Sequence, residues 1–246
     1  MVGTALNLSA LDAVIVDLDG TMVDTMGDFE LALNRMLADL GLPSVARSFI
    51  ERTVGKGSEH LIRSTLQYVQ KTAATPAHVA HAAIKNVAHG VSSEAGFGAD
   101  YEAAWQSYQS HYLAINGQAS AVYAGVHEGL AVLQSRGLKL ACLTNKPLAF
   151  ARPLLQAKGL EKYFSQVFGG DSFARKKPDP LPLLKTCEAL GTLPERTLML
   201  GDSANDALAA RAAGCPVVLV TYGYNHGEPI RAVDADGWLD SLAQLR

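Results

Sequence analysis

The segment Ala13-Val14-Ile15-Val16-Asp17-Leu18 carries no polar side chain until its end. A run this short and this rich in β-branched residues is a strand buried on both faces, as in a parallel sheet covered by helices. Three more such runs follow at Leu138–Leu143, Thr197–Leu200 and Pro216–Val220. Helical spacing fills the intervals. Val126–Arg136 stops at Gly137, Pro147–Lys158 opens with proline in its first turn and stops at Gly159, and Ser203–Ala213 ends at Gly214. Strand and helix in alternation predict an α/β fold, a doubly wound parallel sheet with a Rossmann-like core.

More than a hundred residues of different texture separate the first strand from the second. They offer helix-like segments at Asp28–Leu40, Ser58–Lys71, Pro76–Ala88 and Asp100–Asn116 and no convincing strand. The stretch Gly90–Ala99, with Ser92, Ser93, Gly96 and Gly98, reads as a surface loop. An ordinary crossover is far shorter, so the segment is expected to be an inserted all-helical domain. The division that follows is a core of residues 1–24 and 122–246 and an insert of residues 25–121, hinged near Asp24–Gly27 and Ala119–Gly125.

Composition narrows the partners. The 246 residues are 48% hydrophobic, and 21 basic side chains nearly balance 24 acidic ones for a formal charge of -3. Neither a nucleic-acid nor a membrane-surface partner is expected from such a balance. Cys142, Cys187 and Cys215 are too scattered for a disulfide framework or a zinc site and suit a reducing compartment. No apolar run approaches the roughly 18 residues of a spanning helix. The first apolar stretch lacks a basic segment before it and is interrupted by Asp12, Asp17 and Asp19. A cytoplasmic protein, monomer or homodimer, is the expectation.

In a parallel sheet, ligands bind beyond the carboxyl ends of the strands. The first strand ends in Asp17-Leu18-Asp19-Gly20-Thr21, the second in Thr144-Asn145-Lys146-Pro147, and the third in Gly201-Asp202-Ser203-Ala204-Asn205-Asp206; Lys177 lies in the loop Arg175-Lys176-Lys177-Pro178-Asp179-Pro180. Each has a bland explanation alone: a turn, a helix cap, a solvated lysine, an acidic helix start. Their order on successive strand ends is what points to a site.

That constellation resembles the haloacid dehalogenase superfamily of phosphotransferases. Asp17-Leu18-Asp19-Gly20-Thr21-Met22-Val23-Asp24 is similar to its first motif, Thr144 to its second, Lys177 to its third and Gly201–Asp206 to its fourth. The helical insert looks like that family's mobile cap. Within the superfamily the chain most resembles the phosphoglycolate phosphatases, through Val54-Gly55-Lys56-Gly57, Leu143-Thr144-Asn145-Lys146-Pro147 and Gly169-Gly170-Asp171 before Lys177.

The resemblance implies a Mg²⁺-dependent phosphatase for a small anionic phosphate ester, 2-phosphoglycolate first. Asp17 would be the nucleophile and form an aspartyl-phosphate. The Asp17 and Asp202 carboxylates and the Asp19 backbone carbonyl would bind Mg²⁺, a hard cation that prefers oxygen ligands. Asp206 would steer a metal-bound water or a neighbour, and Lys177 would place positive charge near Asp17 and the phosphoryl oxygens. The Thr144 hydroxyl and the Asn145 N–H would donate to those oxygens at a helix N-terminus. Asp19 would protonate the leaving alkoxide and then activate water. An acid at that position separates this chain from the dehalogenases and phosphonoacetaldehyde hydrolases of the same superfamily.

The cap should meet the leaving group. Glycines 55 and 57 permit close backbone approach, and Lys56 between them is the candidate for a substrate carboxylate, ahead of Arg52 and Arg63. An imine-forming role for Lys56 is rejected, because the first motif is not that of the phosphonate enzymes. His78, His81 and His89 have no acid at ligand spacing, and His60, His111, His127 and His226 are isolated. Tyr101, Trp105, Tyr108 and Tyr112 at helical spacing read as cap core. The segment Tyr222–His226 is placed at the rim without a role. Sugar-phosphate phosphatases and hexose-phosphate mutases remain alternatives within the superfamily, and a non-catalytic phospho-acceptor module is the alternative outside it.

Overall fold

The computed structural model describes residues 8–73 and 94–245. In chain order the regular elements are β1 (Ala13–Val16), β2 (Val23–Asp24), α1 (Met26–Asp39), α2 (Arg47–Thr53), α3 (Ser58–Ala73) and α4 (Glu94–Ile115). The chain continues with β3 (Ala121–Val122), α5 (Val126–Ser135), β4 (Lys139–Leu143), α6 (Leu148–Ala157) and β5 (Gln166–Phe168). It ends with α7 (Leu181–Leu190), β6 (Thr197–Gly201), α8 (Ala204–Ala213), β7 (Val217–Val220) and β8 (Gly237–Leu239). Short 3₁₀ turns fill several of the connections.

Six strands form one parallel sheet in the order β5-β4-β1-β6-β7-β8. From β1 the chain builds outward to β4 and β5, then returns to build the other half from β6. The order reverses beside β1, and a crevice opens at the carboxyl ends there. Alternate residues of β1 enter two separate cores. Val14 and Val16 join Val126, Leu130, Leu154 and Leu155 from α5 and α6. Ala13 and Ile15 join Leu183, Cys187, Ala207 and Ala210 from α7 and α8. Burial on both faces is why the strand runs read as continuous apolar stretches. Cys142, Cys187 and Cys215 are buried and free, spread through these two cores. No helix among the described residues is long and apolar enough to cross a membrane.

The helices between β2 and β3 have a core of their own, in which Met26, Leu33, Met36, Leu37, Ile50, Ile62 and Tyr108 are buried. Tyr108 and Tyr112 are fully enclosed, with Tyr101 and Trp105 packed partly buried beside them. Phe150 of α6 also enters this core, its ring tilted against that of Tyr112 at 4.8 Å between centroids, so the insert grips the sheet domain through an aromatic contact. The two crossings pair with each other as a short antiparallel ribbon, Val23 against Val122 and Asp24 against Ala121. Buried Asp28 reinforces the crossing: Oδ2 accepts from the Gly117 N–H at 2.8 Å and Oδ1 from the Ala119 N–H at 2.7 Å. Gly27 must be glycine there, since a Cβ would stand 2.3 Å from the Ala119 carbonyl oxygen.

Several local expectations need correction. Residues 94–99, read as loop, open the long helix α4. Two glycines cost a helix only about 1 kcal/mol each, and no proline interrupts Glu94–Ile115. Strands β5 and β8, at three residues each, and the short helix α2 escaped notice because they are too brief to show a period. The helix expected over Pro76–Ala88, together with His78, His81 and His89, lies outside the described residues.

Asp28→Ala is expected to lower stability by about 2–3 kcal/mol through the loss of two charge-assisted hydrogen bonds. Urea denaturation should show this as a lower midpoint at unchanged slope.

Candidate active site

The carboxyl ends of β1, β4 and β6 stand side by side at the centre of the sheet. Asp17 follows β1, Thr144 follows β4 and Asp202 follows β6, so adjacency in the sheet brings together residues distant in sequence. Asp206 sits one turn into α8 and completes the group. Oxygens of the buried Asp17, Asp202 and Asp206 lie within 4.8 Å of one another.

Asp206 is fully buried and fully engaged. Its Oδ2 accepts from the N–H of Asp202, the N–H of Ser203 and the Ser203 hydroxyl, and its Oδ1 accepts from Lys177 Nζ at 2.7 Å. Together with Ser203 it forms the capping box that starts α8. Asp206 thus holds the start of α8 with one oxygen and the neighbouring Lys177 with the other.

Lys177 Nζ donates to Asp206 Oδ1 and, at 2.9 Å, to the Leu143 carbonyl, and pairs with Asp17 Oδ1 at 3.1 Å. Its positive charge thus stands beside Asp17, just below the residues that line the cleft. Asn145 holds the Lys177 loop from the other side: its Oδ1 accepts from the Lys177 N–H at 3.0 Å, and its Nδ2 donates to the Lys177 and Gly55 carbonyls at 2.9 and 3.0 Å.

Burial dominates the electrostatics. It pushes Asp17 up to about 7, with Asp206 and Asp19 adding to the rise and Lys177 opposing it. Asp202 is pushed well up by burial first, then by Asp206 and Asp17. Burial alone would lower the Lys177 ammonium, but Asp17 and Asp206 overcome it and raise it. Carboxylates so placed resist ionising together unless a further cation joins them. Their hard oxygens, and their closeness, suit a small divalent ion. The loop backbone is cut to fit around Asp202: Gly20, at φ +80°, would put a Cβ 2.0 Å from Asp202 Oδ2, and Gly223 one at 2.4 Å from the same oxygen.

Above these acids lies a cleft lined by Asp17, Asp19, Thr144, Asn145 and Lys146 from the sheet domain and by Phe29, Val54, Gly55, Gly57, Ser58 and Leu61 from the helical insert. The structure thus brings Asp17, Asp19, Thr144, Asn145, Asp202 and Gly55 around one space. It leaves Lys56 outside: the residue is exposed, and the cleft takes the glycines on either side of it. Arg52 is exposed with its side chain against Gly227, and Arg63 is exposed with its guanidinium over the Tyr101 ring.

The sequence assigned no role to three contributors. Lys146 donates to Asp19 Oδ1 and Oδ2 at 2.8 and 3.1 Å. Tyr224 donates its N–H to Asp202 Oδ2 at 2.6 Å, while its hydroxyl contacts Asp24 and accepts from the Thr25 and Met26 N–H groups at 3.0 and 3.2 Å. Asn205 donates to the Gly55 carbonyl and lies 3.3 Å from His226 Nε2, so His226 is not isolated. For Lys146 the signal was present, in its place directly after Thr144-Asn145 at a strand end. The other two depend on the path of the loop after β7, which no local pattern reveals.

A family model for haloacid dehalogenase-like hydrolases matches residues 14–220. The phosphoglycolate phosphatase of Thiobacillus denitrificans is 39% identical over 234 residues, 95% of this chain and 93% of its own. A plasmid-encoded phosphoglycolate phosphatase of Cupriavidus necator is 40% identical over 233 residues, 95% of this chain and 90% of its own. Among solved structures, a predicted phosphoglycolate phosphatase from Haemophilus somnus 129pt superposes with a TM-score of 0.84 at 30% identity, covering 96% of each chain. The chain belongs to the haloacid dehalogenase-like hydrolase family.

The raised Asp17 has a consequence for stability. In the folded, metal-free protein it keeps its proton from roughly pH 4 to about 7, where the unfolded chain has lost it. Its contribution is therefore present in full below about pH 4 and is lost as pH rises through about 7. Thermal melts of chelator-treated protein should show Tm falling between pH 5 and 8. A divalent cation should raise Tm more at pH 8 than at pH 5, because protons compete for the same oxygens. A metal-free Tm that climbs across this range would contradict the assignment.

Proposed function

We propose that the chain is a Mg²⁺-dependent phosphatase whose substrate is 2-phosphoglycolate, a small dianionic phosphate ester carrying a carboxylate. The observation that carries the reading is Asp17 at the end of the central strand, backed by Lys177 and within ligand distance of Asp202. The names of the relatives support the substrate.

The Asp17 and Asp202 carboxylates and the Asp19 backbone carbonyl would hold the ion, with Asp206 fixing Lys177 behind them. Mg²⁺, when bound, would offset the repulsion between a carboxylate and a phosphate dianion and so permit their approach. Asp17 attacks phosphorus in line, held by its Lys177 contact. The Thr144 hydroxyl accepts from the Lys146 N–H at 3.2 Å, which leaves its own hydrogen for a phosphoryl oxygen. The Asn145 N–H, at the approach to α6, is the second donor to those oxygens. Asp19 gives a proton to the departing alkoxide oxygen, leaving phosphate esterified to Asp17. It then takes a proton from the water that attacks this aspartyl-phosphate, returning Asp17 and releasing phosphate.

Phosphate release from a panel of esters tests this. The expected pattern is rapid release from 2-phosphoglycolate with Mg²⁺, none after chelation, and a fall in kcat of about 10³-fold or more in Asp17→Asn. Release from hexose phosphates alone would overturn the substrate and keep the chemistry. In Asp19→Asn, a nitrophenyl ester should be less impaired than alkyl esters, because its leaving group needs no proton. Equal impairment would remove Asp19 from the acid role.

A further inference from the structure

We propose that the Lys146 ammonium is the receptor for the carboxylate of the substrate's leaving group. The proposal rests on the phosphatase reading above and names the residue that would give it its selectivity.

Lys146 is a buried cation, 4% exposed, and it lines the cleft. Its Nζ contacts both oxygens of Asp19 and otherwise faces aromatic rings, 4.4 Å from the Phe29 centroid and 4.7 Å from that of Tyr112. Ring faces attract a cation but accept no strong hydrogen bond. A desolvated ammonium calls for anionic partners, and Asp19 is the carboxylate that meets it. Lys177, the neighbouring buried lysine, makes the contrast plain, since it meets two carboxylates and a carbonyl within the protein.

The position suits the chemistry. Asp19 is assigned to the ester oxygen that departs. In 2-phosphoglycolate the carboxylate carbon is two bonds from that oxygen, roughly 2.5 Å away. An ester oxygen at Asp19 therefore brings its carboxylate into the space beside Lys146 Nζ, itself 2.8 Å from Asp19 Oδ1. The hydroxyl of Tyr112, whose ring faces Lys146, is fully buried and without a hydrogen-bond partner. Phe29, Val54 and Leu61 close the cleft with apolar surface, where water screens charge least. A leaving group lacking a carboxylate would desolvate Lys146 without neutralising it, which is how a polar site rejects an analogue. Exposed Lys56, the candidate for this task in the sequence, gives way to Lys146.

The test is a ratio: kcat/KM for 2-phosphoglycolate over kcat/KM for ethyl phosphate, which has a methyl group in place of the carboxylate. Lys146→Met fills the aromatic slot without charge. It is expected to lower this ratio about 10–100-fold, chiefly through KM for 2-phosphoglycolate. Lys146→Arg should restore part of it. If both esters lose rate equally, Lys146 only positions Asp19, and the proposal is overturned while the phosphatase reading stands. Wild-type protein supplies a check that needs no variant: glycolate should inhibit competitively, and ethylene glycol of similar size should not. Equal inhibition by the two would overturn the carboxylate receptor. Wild-type protein that releases phosphate from no ester would instead overturn the phosphatase reading, and the proposal with it.

Discussion

The gathering of buried carboxylates at the centre of the sheet is the constraint to which the rest of the molecule answers. Asp17, Asp202 and Asp206 face one another within 4.8 Å and out of water. Such a cluster would destabilise any fold that offered it nothing. Here Asp206 is neutralised by Lys177 and by the N–H groups that open α8, so one acid is taken up entirely in structure. Asp17 and Asp202 keep the remaining repulsion, which with their burial raises both carboxyls, and a bound cation would relieve it.

The helical insert is tied to this cluster by loops that serve both. The Gly55 carbonyl accepts from Asn145, which also grips the Lys177 loop, and from Asn205 on the first turn of α8. Tyr224 spans the other side, with its backbone on Asp202 and its hydroxyl on the crossing at Asp24, Thr25 and Met26. Whatever displaces the insert must therefore disturb groups that touch Asp202 or Lys177. The position of the insert and the arrangement of the charge cluster are therefore linked through short, named contacts.

What the sequence made legible follows from locality. The strand of Ala13–Val16 announced itself because both faces are buried, and Asp17, Thr144 and Asp202 announced themselves as the residues that end such strands. The break read at residues 94–99 was an error of weight, in which two glycines counted for more than the helix they sit in. Lys146 and Tyr224 were hidden for a different reason. Their significance lies in what they face, a carboxylate 127 residues away for one and 22 residues away for the other, so the strand-end place of Lys146 and the rim place of Tyr224 were legible while their partners were not. Lys56 shows the converse: glycines on both sides made it conspicuous, yet the close approach they permit belongs to the backbone, and the side chain turns to solvent.

Two buried lysines at one site would, on the proposed mechanism, divide the electrostatic work between the nucleophile and the leaving group. Lys177 stands behind Asp17, where it would hold that carboxylate in line. Lys146 stands in front, beside Asp19 and within the cleft, on an aromatic wall that withholds competing acceptors. Lysine suits both places because its ammonium is compact and rotates its donors freely, where the flat fork of arginine demands a fixed partner geometry. A fixed cation behind the nucleophile serves any phosphate ester, whereas a cation beside the departing oxygen serves only those whose leaving group is itself an anion. On the proposed reading, chemistry general to phosphate esters and selectivity for an anionic leaving group would then reside in two side chains of the same type, one on Asp17 and one on Asp19.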